Sequence, residues 1–188
     1  MRTLALSLAL LLTPIAAHGQ EAIDNPEMAA LFKADQAARG AGPIDWEKVN
    51  AEDAQRRVTT RRLLDRGALQ TADDYYWASF IFQYGAKPAD FLLAHVLATR
   101  ALALGRKDAE WMVASTLDRY LQKSGAGQVY GTQFQYTTEK GTTQEPYDRQ
   151  LLPDSVRVAA GAHTLAEQQA HLADAEASMK ALFSPPKR

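Results

Sequence analysis

Past its first twenty residues, the chain repeats apolar positions at the three- and four-residue spacing of amphipathic helices almost throughout. Asn25-Pro26-Glu27 reads as a cap followed by proline at the first helical position. It opens a helix Pro26–Arg39 with Met28, Leu31 and Phe32 on one side, and Gly40-Ala41-Gly42-Pro43 stops it. Asp45 caps a second helix, Trp46 to Arg66, whose apolar stripe reads Trp46, Val49, Ala54, Val58, Leu63 and Leu64. Thr71 opens a third, Ala72–Tyr84, with Asp73 and Asp74 in its first turn, where negative charge suits the helix dipole. Pro88–Leu104 and Lys107–Gln122 follow, and the short link Gly105-Arg106 forces these two antiparallel and adjacent. Ala94, Ala98, Ala101, Ala103, Ala109 and Ala114 allow close helix packing. The pairs resemble a fragment of an α-solenoid, without a second copy at the usual periods of about 34–40 residues.

The helical texture breaks at Gly125-Ala126-Gly127. Gln128–Thr138 is rich in Val, Tyr, Thr and Phe, Glu139-Lys140-Gly141 reads as a turn, and Thr142–Tyr147 as a return strand. Alternation puts Gln128, Tyr130, Thr132, Phe134 and Tyr136 on one face of that hairpin, expected to pack on the helices. Pro153-Asp154 marks a loop with a short turn after it. Thr164 caps a last helix, Leu165–Phe183, with Glu167 at the capping-box position. The expected fold is mainly α: antiparallel helix pairs in a solenoid-like bundle, with one β-hairpin (128–147) before the last helix.

The first residues read as an address. Met1-Arg2 is a short positive start, Leu4–Ala17 is apolar apart from Ser7, Thr13 and Pro14, and Ala17-His18-Gly19 offers small residues before a cut at Gln20. The run is shorter than the ~20 residues of a bilayer span. A signal peptide over 1–19, one domain over 20–183, a disordered tail over 184–188 and a periplasmic or secreted product are therefore expected. With no cysteine, the chain has no disulfide framework, thiolate nucleophile or Cys-based metal site. A net charge of −1 gives no sign of a nucleic-acid surface. No hydrolase elbow, Walker loop or His-Glu-x-x-His sequence is present, and His95, His163 and His171 are too scattered for a metal site. No cofactor or metal is implied.

One stretch carries more polar groups than a packing joint needs: Leu117-Asp118-Arg119-Tyr120, then Gln128-Val129-Tyr130-Gly131-Thr132-Gln133-Phe134. Here the chain resembles a bacterial family of mainly helical domains of unknown function. Its members share an Asp-Arg pair near a helix end, then Gln-x-Tyr-Gly-Thr-Gln, with Asp-Gln-x-x-Arg early in the chain and a histidine in a central helix. Asp35-Gln36-Ala37-Ala38-Arg39 and His95 stand in those places, although many members read Gln-His where this chain has Ala94-His95. The resemblance covers most of the chain after residue 19 and implies a fold and a site location, with no activity.

Helix geometry places His95 and Thr116 at similar heights on the antiparallel pair, less than a turn from Asp118 and Arg119. Asp35 and Arg39 share one face of the first helix. These residues, with Gln128, Tyr130, Thr132 and Gln133, are candidates for a pocket. Each also has a structural alternative. Asp35–Arg39 reads first as a surface ion pair, His95 as a hydrogen-bonded packing residue, Asp118 and Arg119 as ties for the loop, and Gly131 as a bulge or close approach. Gln128 and Gln133 would then satisfy buried backbone. The leading expectation is a non-enzymatic exported domain binding a peptide, protein or small ligand in a groove between helices and hairpin. The alternative is a small hydrolase or transferase with His95 as base, Asp118 orienting it and Arg119 holding an anionic group.

Overall fold

The computed structural model describes residues 22–40, 43–137 and 139–183; the expected signal peptide and C-terminal tail lie outside the described residues. The protein is mainly helical, as its periodicity predicts. Helices α1 (Pro26–Gly40), α2 (Trp46–Asp65), α3 (Ala72–Phe82), α4 (Pro88–Ala103) and α5 (Glu110–Lys123) precede a two-stranded antiparallel hairpin. The hairpin pairs β1 (Gln135–Thr137) with β2 (Gly141–Thr143), Tyr136 opposite Thr142, and is followed by α6 (Asp154–Ala159) and α7 (Leu165–Phe183). No helix among the described residues is long and apolar enough to cross a membrane.

The helix starts follow the capping chemistry of the sequence. Asn25 Oδ1 accepts from Met28 N at 3.0 Å, Asp45 Oδ1 from Lys48 N at 3.1 Å, and Thr71 Oγ1 from Asp74 N at 3.0 Å. Thr164 and Glu167 form the expected capping box on α7. Asp74 does more than close its own box. It is fully buried and also accepts from Asn25 N at 2.7 Å, which pins the start of α1 to the start of α3.

Helix α4 packs between α3 and α5, while α1 and α2 close over α3. The core shared by α1–α4 is Met28, Leu63, Leu69, Ala78, Ile81, Phe82, Ala94 and Leu97. Ala94, Ala98, Ala101, Ala109 and Ala114 are all fully buried, so the alanine texture does what its small volume allows; Ala103 is exposed. A single 3-10 turn, Lys107–Ala109, starts the return helix one turn later than the sequence suggests.

Three expectations need correction. Helix α2 buries only half of its apolar stripe: Val49 and Leu63 are buried and Leu64 packs on the core, but Trp46 and Val58 are 58% and 56% exposed and Ala54 is also exposed. Its inward face is Val49, Asp53, Arg56, Thr60 and Leu63, which has the same helical period but charges in the middle. The hairpin is also shorter than its β-rich composition suggests. Residues 128–134 form an irregular loop instead of a strand, Phe134 is exposed, and the alternating aromatic face does not form. Finally, the loop expected after Pro153 contains the short helix α6, centred on the fully buried Arg157.

Candidate functional site

The polar stretch after α5 is a joint built by side chains. Asp118, fully buried near the end of α5, accepts four hydrogen bonds from the loop that follows. Its Oδ1 takes Val129 N at 2.7 Å and Tyr130 N at 3.0 Å; its Oδ2 takes Thr132 N at 3.0 Å and Thr132 Oγ1 at 2.8 Å. Gln128, also fully buried, accepts from Gln133 N at 3.0 Å and donates to Gln133 O at 3.0 Å and to Gln144 O. Gln144 donates in turn to Gly131 O at 2.5 Å, and Gln168 of α7 to Tyr130 O at 2.8 Å. These amides do the work that a neighbouring strand does in a sheet, satisfying buried backbone groups.

Gly131 is required at the centre of this joint. Its φ is +76°, and a Cβ there would stand 2.1 Å from Gln168 Oε1 and 2.7 Å from the Tyr147 ring. Tyr147 Oη accepts from Arg157 Nε at 3.0 Å, and Arg157 also donates to the Leu152 and Arg149 carbonyls. The Tyr-Gly-Thr-Gln segment is thus held from α5, from 144–147 and from α7.

On the other side of the bundle, Asp35 and Arg39 are not a surface pair. Arg39 bridges Asp35 at 2.7 Å and Asp53 of α2 at 2.5 Å, and Arg56 bonds Asp53 at 2.5 Å and Glu52 at 2.7 Å. Burial raises the Asp35 carboxyl above its ordinary range against the opposing pull of Arg39. Burial also disfavours the charged Arg39, but its bonds to Asp53 and Asp35 outweigh this and hold its pKa high. The guanidinium lies 3.6 Å from the centre of the Tyr84 ring.

Joint and ion-pair network face a common cleft of about 500 Å³, within the usual size range of small-molecule sites. Arg39, Trp46 and Asp53 line one wall, Tyr84 and Phe91 the floor where α3 turns into α4, and Arg119, Gln122, Lys123, Gln133 and Gln135 the other wall. The cleft lies where the helices meet the segment leading into the hairpin. Arg39, Arg119 and Gln133 among the candidates line it; Asp35 lies behind it, and Asp118, Gln128, Tyr130 and Thr132 hold the wall without lining it. Arg119 donates to Gln133 Oε1 at 2.8 Å and to Gln83 O at 3.0 Å. Both acceptors are neutral, and among the described residues no carboxylate pairs with it. Burial pushes the Arg119 pKa below its ordinary range.

His95 stands apart. Its Nδ1 donates to Val113 O at 3.0 Å, about a turn from the Thr116 level expected, which fixes the proton on that nitrogen. The Asp118 oxygens are occupied by the loop, so the posited His95–Asp118 hydrogen bond does not form. His163 and His171 are exposed, as expected, and stack edge to face at 4.4 Å. Among the described residues no group of three or more His, Cys, Asp or Glu is placed to hold a metal ion.

Sequence reasoning missed Asp53, Trp46, Tyr84, Gln122 and Lys123. One signal was present: Arg119 and Lys123 are like charges at i,i+4, a repulsive pair on a helix unless something anionic meets it. Compared with models of protein families, with curated proteins and with solved structures, the chain finds no match.

Proposed function

We propose that the chain is an exported, non-enzymatic binding domain whose ligand occupies the cleft between α1–α5 and the hairpin. The observation that carries this reading is Arg119, a largely buried guanidinium at the cleft wall that bonds only neutral oxygens. The loop itself is fixed by Asp118, Gln128, Gln144 and Gln168, none of which lines the cleft. The cleft additionally has an exposed tryptophan at its edge and polar groups on facing walls. The apolar run Leu4–Ala17 supports the export reading.

The test is a thermal-shift screen of the protein with organic acids, phosphates, neutral sugars, amino acids and short peptides. Asn50→Trp serves as a cleft-filling variant, because Asn50 lines the cleft and is exposed. A ligand at 100 times its dissociation constant adds about 2.7 kcal/mol, a shift of several degrees for a domain of this size. The reading requires a compound that shifts the parent and not Asn50→Trp. Shifts equal in both, or none with any compound, overturn it.

A further inference from the structure

The charges around the cleft are unevenly matched. Arg39 and Arg56 are neutralised by Asp35 and Asp53, with Glu52 joining Arg56 from the surface. Asp53, the carboxylate in the cleft wall, is bonded by two guanidiniums and offers no free charge to a ligand. On the opposite wall Arg119 and Lys123 stand one helical turn apart on α5, and no ion pair forms at either among the described residues. A guanidinium has five N–H donors, and the Gln133 and Gln83 bonds use two of those on Arg119.

The unsatisfied atoms of the cleft-lining residues have the same polarity. Arg39 Nε and Gln122 Nε2 are buried without a hydrogen-bond partner, and both belong to residues lining this cleft. Both are donors. Neither atom is open to the cleft as the side chains stand, so a ligand's acceptors are met by the remaining N–H groups of Arg119 and by the exposed Lys123. Trp46 adds a ring, 58% exposed, at the edge of the same cleft. Exposed aromatic faces of this kind stack on planar or sugar rings.

We infer that the cleft takes a small organic anion, a carboxylate or phosphate carried on a ring, with Arg119 and Lys123 meeting the anionic group and Trp46 the ring. This rests on the binding-domain reading and gives it a ligand class. Carboxylate and phosphate present the same acceptor fork to a guanidinium, so the two sources are separated by probe.

The experiment measures binding of benzoate, phenyl phosphate and neutral benzyl alcohol by calorimetry and by Trp46 fluorescence, with Trp46→Phe as the control for its signal. Benzoate or phenyl phosphate, whichever the cleft takes, should bind and benzyl alcohol should not. Arg119→Gln should weaken the anion about tenfold or more, the scale of one charge-assisted hydrogen bond. Because Arg119 also braces Gln133, that variant is checked by circular dichroism. Lys123→Gln, at an exposed position, keeps the proposal testable if it unfolds: its affinity should fall a few-fold, and parent affinity should fall with added salt. Equal binding of the alcohol, or an affinity indifferent both to Lys123→Gln and to salt, overturns the anion assignment. So does a neutral ligand that Asn50→Trp excludes while no anion binds, and in that case the cleft reading survives. No binding of any probe or screened compound overturns both.

Discussion

Replacing Asp118 by alanine isolates the joint. The substitution leaves Val129 N, Tyr130 N and Thr132 N without their acceptor, and frees the Thr132 hydroxyl. Each buried donor left unsatisfied costs about 1–3 kcal/mol. The hydroxyl can turn to another acceptor, and Val129 and Tyr130 are only half-buried, so water recovers part of the loss. The sum falls at about 3–5 kcal/mol, the range found when one member of a buried charged network is removed. For a domain stable by about 5–15 kcal/mol this is a large share. Asparagine keeps one oxygen and turns a donor toward Thr132 N, so it should cost about half as much. The assay is equilibrium urea unfolding followed by far-ultraviolet circular dichroism, with the m-value checked for constancy. The order parent, Asn, Ala is expected. An alanine variant within about 0.5 kcal/mol of the parent would refute the claim that Asp118 organises the loop.

Two further outcomes follow from neighbouring residues. Gly131→Ala forces a side chain into the left-handed region and against the Tyr147 ring, and should cost more than about 2 kcal/mol in the same unfolding assay. Glu167, held below its ordinary 4.5 by hydrogen bonds from Thr164, stabilises α7 above that value and loses the effect as pH falls through its lowered pKa. The melting midpoint of Glu167→Gln should therefore lie below the parent near neutrality and converge with it in acid; a gap that persists there would contradict this.

What could be read from the sequence was local. Asn25, Asp45, Thr71 and Thr164 announce helix starts because a cap is satisfied within three residues of itself. That the end of α5 lies beside the segment after it was also legible, because helix periodicity and a short turn bring the two together. The inward face of α2 was not. Asp53 is buried only because Arg39 of another helix meets it, and hydropathy assigns such a residue to solvent. The strand expected over 128–134 failed for a similar reason. Val, Tyr, Thr and Phe favour a ladder, but the N–H groups of 129, 130 and 132 are taken by Asp118 and that of Gln133 by Gln128. The pairing of His95 with Asp118 failed because the carboxylate was already committed to this loop.

The joint also governs how the C-terminal third is attached. Among the described residues from 128 onward, buried apolar side chains are limited to Tyr147 and Ala162, while Gln128, Thr132, Gln144, Arg157 and Gln168 are buried with them. Apolar burial is non-directional and rewards approximate approach, whereas hydrogen bonds weaken steeply once misaligned. This third therefore gains little from a loose encounter with the helices and nearly everything from the final alignment. Its docking should be close to all-or-none, a cooperative latch over the end of α5, and the amides of 128–133 should exchange their hydrogens together, in one opening event.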